Sequence, residues 1–173
     1  MRITGGNLKG IRLGTGFATH VRPTTDFVRE SLFNKLQHSI GLENSTVLDL
    51  FSGSGIMALE FLSRGADTVT SVDRDMKNIL FQKNFKSSKN LTGWNIVKSD
   101  VFRFLASDLH FYQVVFADPP YDMPGIAELP QKVLERLSQG GVFLLEHKPG
   151  LEFSPAPQEL KSYGSTSCSI FVK

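Results

Sequence analysis

The residues Asp118-Pro119-Pro120-Tyr121 directly follow Gln113-Val-Val-Phe-Ala117, a short apolar run of strand type. In an open α/β sheet, ligands bind just beyond the carboxyl ends of the strands. A carboxylate, two rigid prolines and an aromatic ring at such a place can grip a flat group that bears an amine. Asp118 can accept a hydrogen bond from an NH2, and so can the carbonyl of Pro119. That carbonyl is kept out of a helix by the proline that follows it. Tyr121 offers a face on which a planar ring can stack. The plainer alternative is a strand end closed by a proline turn, with Tyr121 on its rim. The motif by itself does not separate the two readings.

A second group of residues shifts the balance. Asp49-Leu-Phe51-Ser-Gly53-Ser-Gly55-Ile-Met-Ala58 puts glycines after a strand-like run and before a helical one. Such a turn lets backbone N–H groups meet a ligand at a helix N-terminus. Taken alone, the pattern fits a dinucleotide as well as any other nucleotide-like ligand. Asp73 closes the next strand, 18 residues after Gly55, where a carboxylate can take both ribose hydroxyls. Asp100 ends the third strand, within reach of an adenine amine. Asp49 could serve an ammonium, directly or through water. Any one of these acids could be a surface cap, but the set suits a ligand with adenine, ribose and a cationic amino-acid tail, which describes S-adenosylmethionine. No GxxxxGK[ST] run is present, which argues against an ATP-binding P-loop.

The elements that position these residues alternate. Thr46–Phe51, Thr68–Val72, Trp94–Lys98, Gln113–Ala117 and Val142–Glu146 read as strands, the last opened by Gly140-Gly141. Helices are expected from Phe27 to Leu36 with Thr24 or Thr25 as cap, through Met57 to Leu62 ending at Gly65, and over Met76–Ser87. Further helices are expected over Val101–Leu105 and Ile126–Leu137. Strands alternating with helices imply a largely parallel sheet covered on both faces. Leu160–Tyr163 and Thr166–Val172, joined by Gly164, read as an antiparallel edge hairpin. Residues 1–22, with a β-like alternation from Leu8 to Leu13, read as an appended hairpin arm, and 23–173 as the main domain.

A chain of 173 residues with 40% hydrophobic and 21% charged residues suits one globular unit. The lone cysteine, Cys168, allows no internal disulfide and fits strand packing. Without a signal-like or membrane-length apolar run, the cytoplasm is the expected compartment. His20, His38, His110 and His147 share no metal-ligand spacing. Net charge is only +2. Residues 1–25, however, hold Arg2, Lys9, Arg12 and Arg22 and no acid, a cluster that could meet phosphates or simply be a solvated arm.

Several blocks occur in an order that resembles one known family. They are Arg2-Ile-Thr-Gly-Gly6, Lys9-Gly10, Arg22-Pro-Thr-Thr-Asp26, Val28-Arg-Glu-Ser-Leu-Phe-Asn34, Leu48-Asp-Leu-Phe-Ser-Gly-Ser-Gly55, Leu62-Ser-Arg-Gly-Ala66, Asp118-Pro-Pro-Tyr121 and Tyr163-Gly164. The chain is similar over nearly its whole length to the RsmD family of bacterial 16S rRNA (guanine-N2-)-methyltransferases. Ile11 departs from the pattern, since the family often carries a second basic residue there. The resemblance implies a Rossmann-like S-adenosylmethionine-dependent methyltransferase fold with a mostly parallel seven-stranded sheet, an antiparallel C-terminal edge hairpin and a small N-terminal β-hairpin arm. It implies a monomer acting on 16S rRNA, at guanine 966, within a small-subunit particle or assembly intermediate. The candidate cofactor residues are then Thr25, Asp49, Phe51, Gly53, Gly55, Asp73, Arg74, Asp100, Val101 and Asp118. Asp118, Pro119 and Tyr121 are the candidate catalytic residues, and Arg2, Lys9, Arg12, Arg22 and Tyr121 the RNA contacts.

Two other readings compete. D-P-P-Y also occurs in DNA adenine-N6 and other amino methyltransferases, although 173 residues leave little room for a separate target-recognition region. A non-catalytic nucleotide- or RNA-binding module would not need Asp118 together with both glycines.

Overall fold

Five apolar segments lie side by side and parallel in the computed structural model, which describes residues 1–17, 26–163 and 165–173. They are β1 (Thr46–Leu50), β2 (Thr68–Asp73), β3 (Trp94–Lys98), β4 (Tyr112–Ala117) and β5 (Leu137–His147). Two more strands, β6 (Glu159–Tyr163) and β7 (Thr166–Val172), complete a seven-stranded sheet of order β3-β2-β1-β4-β5-β7-β6. β7 runs antiparallel to both β5 and β6. The helices are α1 (Asp26–Ser39), α2 (Ile56–Ser63), α3 (Met76–Ser88), α4 (Val101–Ser107) and α5 (Leu129–Arg136).

The strand sequences explain why both faces are covered. Val47, Val69, Val114, Phe116 and Leu144 pack with α1 and α2 residues such as Phe33, Leu36, Leu59 and Phe61. Their sequence neighbours Leu48, Leu50, Val72, Val115, Phe143 and Leu145 pack instead with Val101, Leu105, Leu129 and Val133. Alternate side chains of a strand point to opposite faces, so a strand that is apolar at every position must be buried twice. Each fully buried Leu or Phe contributes about 1.5–3 kcal/mol of transfer free energy.

β1 has β2 on one side and β4 on the other. The chain therefore winds outward in one direction, returns, and winds outward in the other. The crevice at such a reversal, at the carboxyl ends of β1 and β4, is where an α/β sheet receives its ligand. Both chemical motifs sit at that crevice.

The expected β3 and β7 match the observed strands, and the other strands of the parallel run differ by a residue or so, except β5. The expected helix Ile126–Leu137 divides into a 3-10 turn, Ile126–Glu128, and α5. Pro130 occupies the first turn of α5, where its missing N–H costs nothing. Leu137 belongs to β5, because it pairs with Tyr112 ahead of a register shift between Tyr112 and Val114. Gly140-Gly141 therefore lies inside the strand at an irregularity instead of opening it. Gly140 has φ 74° there, and a Cβ on Gly141 would sit 2.9 Å from the Ser138 carbonyl oxygen.

The N-terminal segment forms a hairpin-like turn tied by one antiparallel bridge, Arg2 with Arg12. Ile3 and Leu13 enter the same core as Phe33 and Phe61. Beneath them, Glu60 of α2 is fully buried between two guanidiniums. It accepts from Arg29 Nε at 2.9 Å, from Arg64, and from the Thr4 amide at 2.7 Å. Arg29 also donates to the Arg2 carbonyl and to Asp26. Thr24, Thr25 and Arg22 lie outside the described residues.

Candidate active site

The turn after β1 is held by its neighbours before any ligand arrives. Phe51 takes the left-handed conformation, φ 58°, which a bulky residue seldom adopts and which marks a strained, over-determined position. The Gly53 amide donates to Asp73 Oδ2 at 2.7 Å. Gln82 of α3 donates to both the Ser52 hydroxyl and the Gly53 carbonyl. Gly55 caps α2 in the left-handed region with φ 78°. A Cβ on it would lie 2.6 Å from the ring of Trp94. At Gly55, then, the missing side chain admits protein atoms, the Trp94 indole, which is itself fixed by its N–H to the Ser71 hydroxyl.

Asp73 is occupied on both oxygens. Oδ2 accepts from Gly53 and from Asn78 Nδ2, and Oδ1 from the Asp75 amide. A carboxylate has about four acceptor positions, so one remains for a ligand hydroxyl. Arg74, next in the chain, is exposed. Asp100 caps α4 by accepting from the Arg103 amide and is itself exposed, while Val101 is buried. With Asp49 of β1, these residues bring acidic groups to three successive strand ends around the glycine turn.

Asp49 differs from the others. It is buried, and its Oδ2 has no hydrogen-bond partner. Burial holds its carboxyl well above the usual range, and the carboxylates of Asp73 and Asp118 push the same way. A buried acceptor without a partner is costly, and a cationic ligand group would relieve it. The orphaned Asp49 oxygen, the braced glycine turn and the spare position on Asp73 fit S-adenosylmethionine, whose tail carries an ammonium and whose sulfur carries a positive charge.

Asp118 stands half-buried at the end of β4. The register sets Ala117 beside Leu145, which brings Asp118 alongside Glu146 of β5. Desolvation, and then the Glu146 charge, raise the Asp118 pKa to about 8. Among the described residues none donates to the Pro119 carbonyl, and the Met123 amide closes the following turn onto the Pro120 carbonyl at 3.0 Å. Tyr121 is fixed through its hydroxyl, 2.8 Å from Thr166 Oγ1 on β7. The loop thus offers an acceptor pair beside an anchored ring.

Of the basic residues, Arg2, Lys9 and Arg12 are exposed. Arg2 pairs with Asp26 at 3.1 Å, so the acid just beyond the acid-free stretch takes part of its charge.

Four residues that matter here escaped the sequence reading. Glu146 sits near the end of an apolar strand as a lone acid, and its place beside Asp118 shows only in the sheet register. Glu60 is the single charge within Ile56–Ser63, which for a buried helix signals a paired ion. Gln82 and Trp94 gave no signal, because what they brace is far away in sequence.

Known proteins resemble the chain over its whole length. The family model described as "Conserved hypothetical protein 95" matches residues 1–172. A Bacillus subtilis (strain 168) protein, "Putative rRNA methyltransferase YlbH", is 33% identical over 184 residues, covering 100% of this chain and 99% of the relative. "Ribosomal RNA small subunit methyltransferase D" of Escherichia coli (strain K12) is 38% identical over 123 residues, covering 70% of this chain and 60% of the relative. Among solved structures, "Putative methyltransferase yhhF from Escherichia coli" superposes with TM-score 0.88 at 26% identity, covering 100% of this chain and 97% of that one. The fold is the Rossmann-like fold of S-adenosylmethionine-dependent methyltransferases. Within that class, the chain belongs to the RsmD family.

Proposed function

We propose that this protein transfers a methyl group from S-adenosylmethionine to the exocyclic N2 amine of a guanine in 16S rRNA, guanine 966 being the expected position. The observation that carries this reading is the Asp118–Pro119 acceptor pair, set at the sheet reversal beside the glycine turn and next to the fixed ring of Tyr121. The names of the relatives support rRNA as the substrate class.

S-adenosylmethionine supplies a methyl already activated by the sulfonium, so the chain's task is alignment. Asp49 holds the ammonium of the ligand tail, and Asp73 and the Gly53 turn hold its ribose side. Guanine N2 is a poor nucleophile because its lone pair is delocalised into the ring. Hydrogen bonds from the amine to Asp118 and to the Pro119 carbonyl pull the nitrogen toward tetrahedral geometry and free that pair. The Asp118 carboxylate stabilises the cation that develops, and the proton leaves to it or to water. Tyr121 stacks on the base once it has turned out of its RNA context. Arg2, Lys9, Arg12 and Arg22 hold phosphates around it.

Incubating the purified protein with labelled S-adenosylmethionine and either 16S rRNA or duplex DNA tests the assignment. Label recovered as N2-methylguanosine supports it. Label on DNA adenine, with rRNA inert, would replace it with the amino-methyltransferase alternative.

A further inference from the structure

We propose that Lys148 is a substrate-holding residue that takes a phosphate of the nucleotide whose base stacks on Tyr121. The idea deepens the rRNA reading and rests on it. Lys148 directly follows β5, beside the loop that carries Asp118. Its ammonium bonds to Asp122 Oδ1 at 2.5 Å and lies 5.9 Å from the centre of the Tyr121 ring. Neither position is accidental in its backbone. The buried His147 ring bonds Ser169 Oγ through Nε2 and the Lys148 carbonyl through Nδ1, at 2.8 and 2.7 Å. Phe153 packs edge-on against the same imidazole. The start of the lysine side chain is therefore fixed to β7, as the Tyr121 hydroxyl is through Thr166.

The far end of that side chain is held weakly. Asp122 is 90% exposed and Lys148 46%, and an exposed pair of this kind adds little and exchanges readily. A base that comes to stack on Tyr121 meets the ammonium over the ring. A phosphate of the same nucleotide offers Lys148 a full negative charge in place of Asp122, and moving to it clears the ring. A lysine suits this task, because it is a compact point charge with three rotatable donors on a flexible stem. The arm packs against α2, whereas Lys148 follows β5, so the arm's cations and Lys148 approach the RNA from different elements. Phosphate contacts position a nucleic acid without reading its sequence, and an extruded base needs such contacts close to it.

Methyl transfer to 16S rRNA by wild type, Lys148→Met, Lys148→Arg and Asp122→Asn tests the proposal, with S-adenosylhomocysteine affinity measured alongside. Lys148→Met should raise KM for rRNA about tenfold and flatten its salt dependence by about one released ion. kcat and cofactor affinity should stay within about twofold, since neither depends on the phosphate contact. Lys148→Arg should restore most of the KM, and Asp122→Asn, which releases the lysine, should lower it. If wild type methylates rRNA while Lys148→Met keeps its KM and salt slope, or loses kcat alone, the role of Lys148 is wrong and the rRNA reading stands. If wild type transfers no methyl to rRNA, that reading fails and the proposal falls with it.

Discussion

At the ends of β1 and β2, Asp73 is tied to two backbone amides and to Asn78, and the glycine turn it braces is pinned again by Gln82 and Trp94. At the ends of β4 and β5, two carboxyl groups stand side by side, Asp118 and Glu146, and the Glu146 charge disfavours ionisation of Asp118. The first region has its hydrogen bonds made in advance, so little must be ordered when a cofactor arrives. In the second, desolvation and the Glu146 charge disfavour the Asp118 carboxylate, which a nearby positive charge would favour. On the proposed reading, binding and chemistry fall on different strand pairs, with the orphaned Asp49 between them. A loss in one half should leave the other largely intact.

The largest effect is expected in the second region. Asp118→Ala should lose on the order of 100-fold or more in single-turnover rate, as lost transition-state partners do, with S-adenosylhomocysteine affinity retained. Asp118→Asn keeps an accepting oxygen and removes the charge. More activity than alanine would mean that geometry dominates, and equal loss would mean that charge does. In the braced half, Gly55→Ala forces a Cβ onto Trp94 at φ 78° and should cost about 2–3 kcal/mol in a denaturant titration, by overpacking and left-handed strain. Asp73→Ala should weaken S-adenosylmethionine by about 1–3 kcal/mol in calorimetry, while NAD binds more weakly than S-adenosylmethionine throughout.

Acidity offers a finer cut. If the Asp118 charge stabilises the developing cation, the carboxylate is the active form, so kcat/KM should rise with pH toward the free-enzyme value near 8. Glu146→Gln removes a like charge and should move that limb to lower pH by on the order of 1 unit. A limb that stays in place would separate Glu146 from the site. For stability the direction is fixed by linkage: folded Asp118 holds its proton above the ordinary 3.8, so its ionisation opposes folding as pH rises between the two values. Asp118→Asn should therefore melt higher than wild type at pH 8, a gain that disappears near pH 4. The smallest effect belongs to the arm, where Arg12→Ala should raise KM for rRNA and flatten its salt dependence without changing cofactor affinity.

Much of this arrangement was legible in local patterns. Strand runs such as Thr46–Leu50 and Thr166–Val172 are short, bounded by turn residues and carry β-branched side chains, so they declare themselves. Asp118, Asp73 and the glycines could be placed because each sits at a strand end. Leu137 reads as helical in the sequence, because its strand role depends on a register shift opposite Tyr112 that one strand's sequence cannot show. Glu146 and Lys148 acquire meaning only once β5 lies beside β4. The Glu60 network joins Thr4, Arg29 and Arg64 across as many as 60 positions, a distance no spacing rule spans.

The most direct test of the whole account is the modification state of 16S rRNA in cells with and without this protein, read by nucleoside analysis and position mapping. Loss of one N2-methylguanosine, restored by wild type but not by Asp118→Ala, is the predicted result. An unchanged guanosine profile, or a loss confined to another modified base, would contradict it.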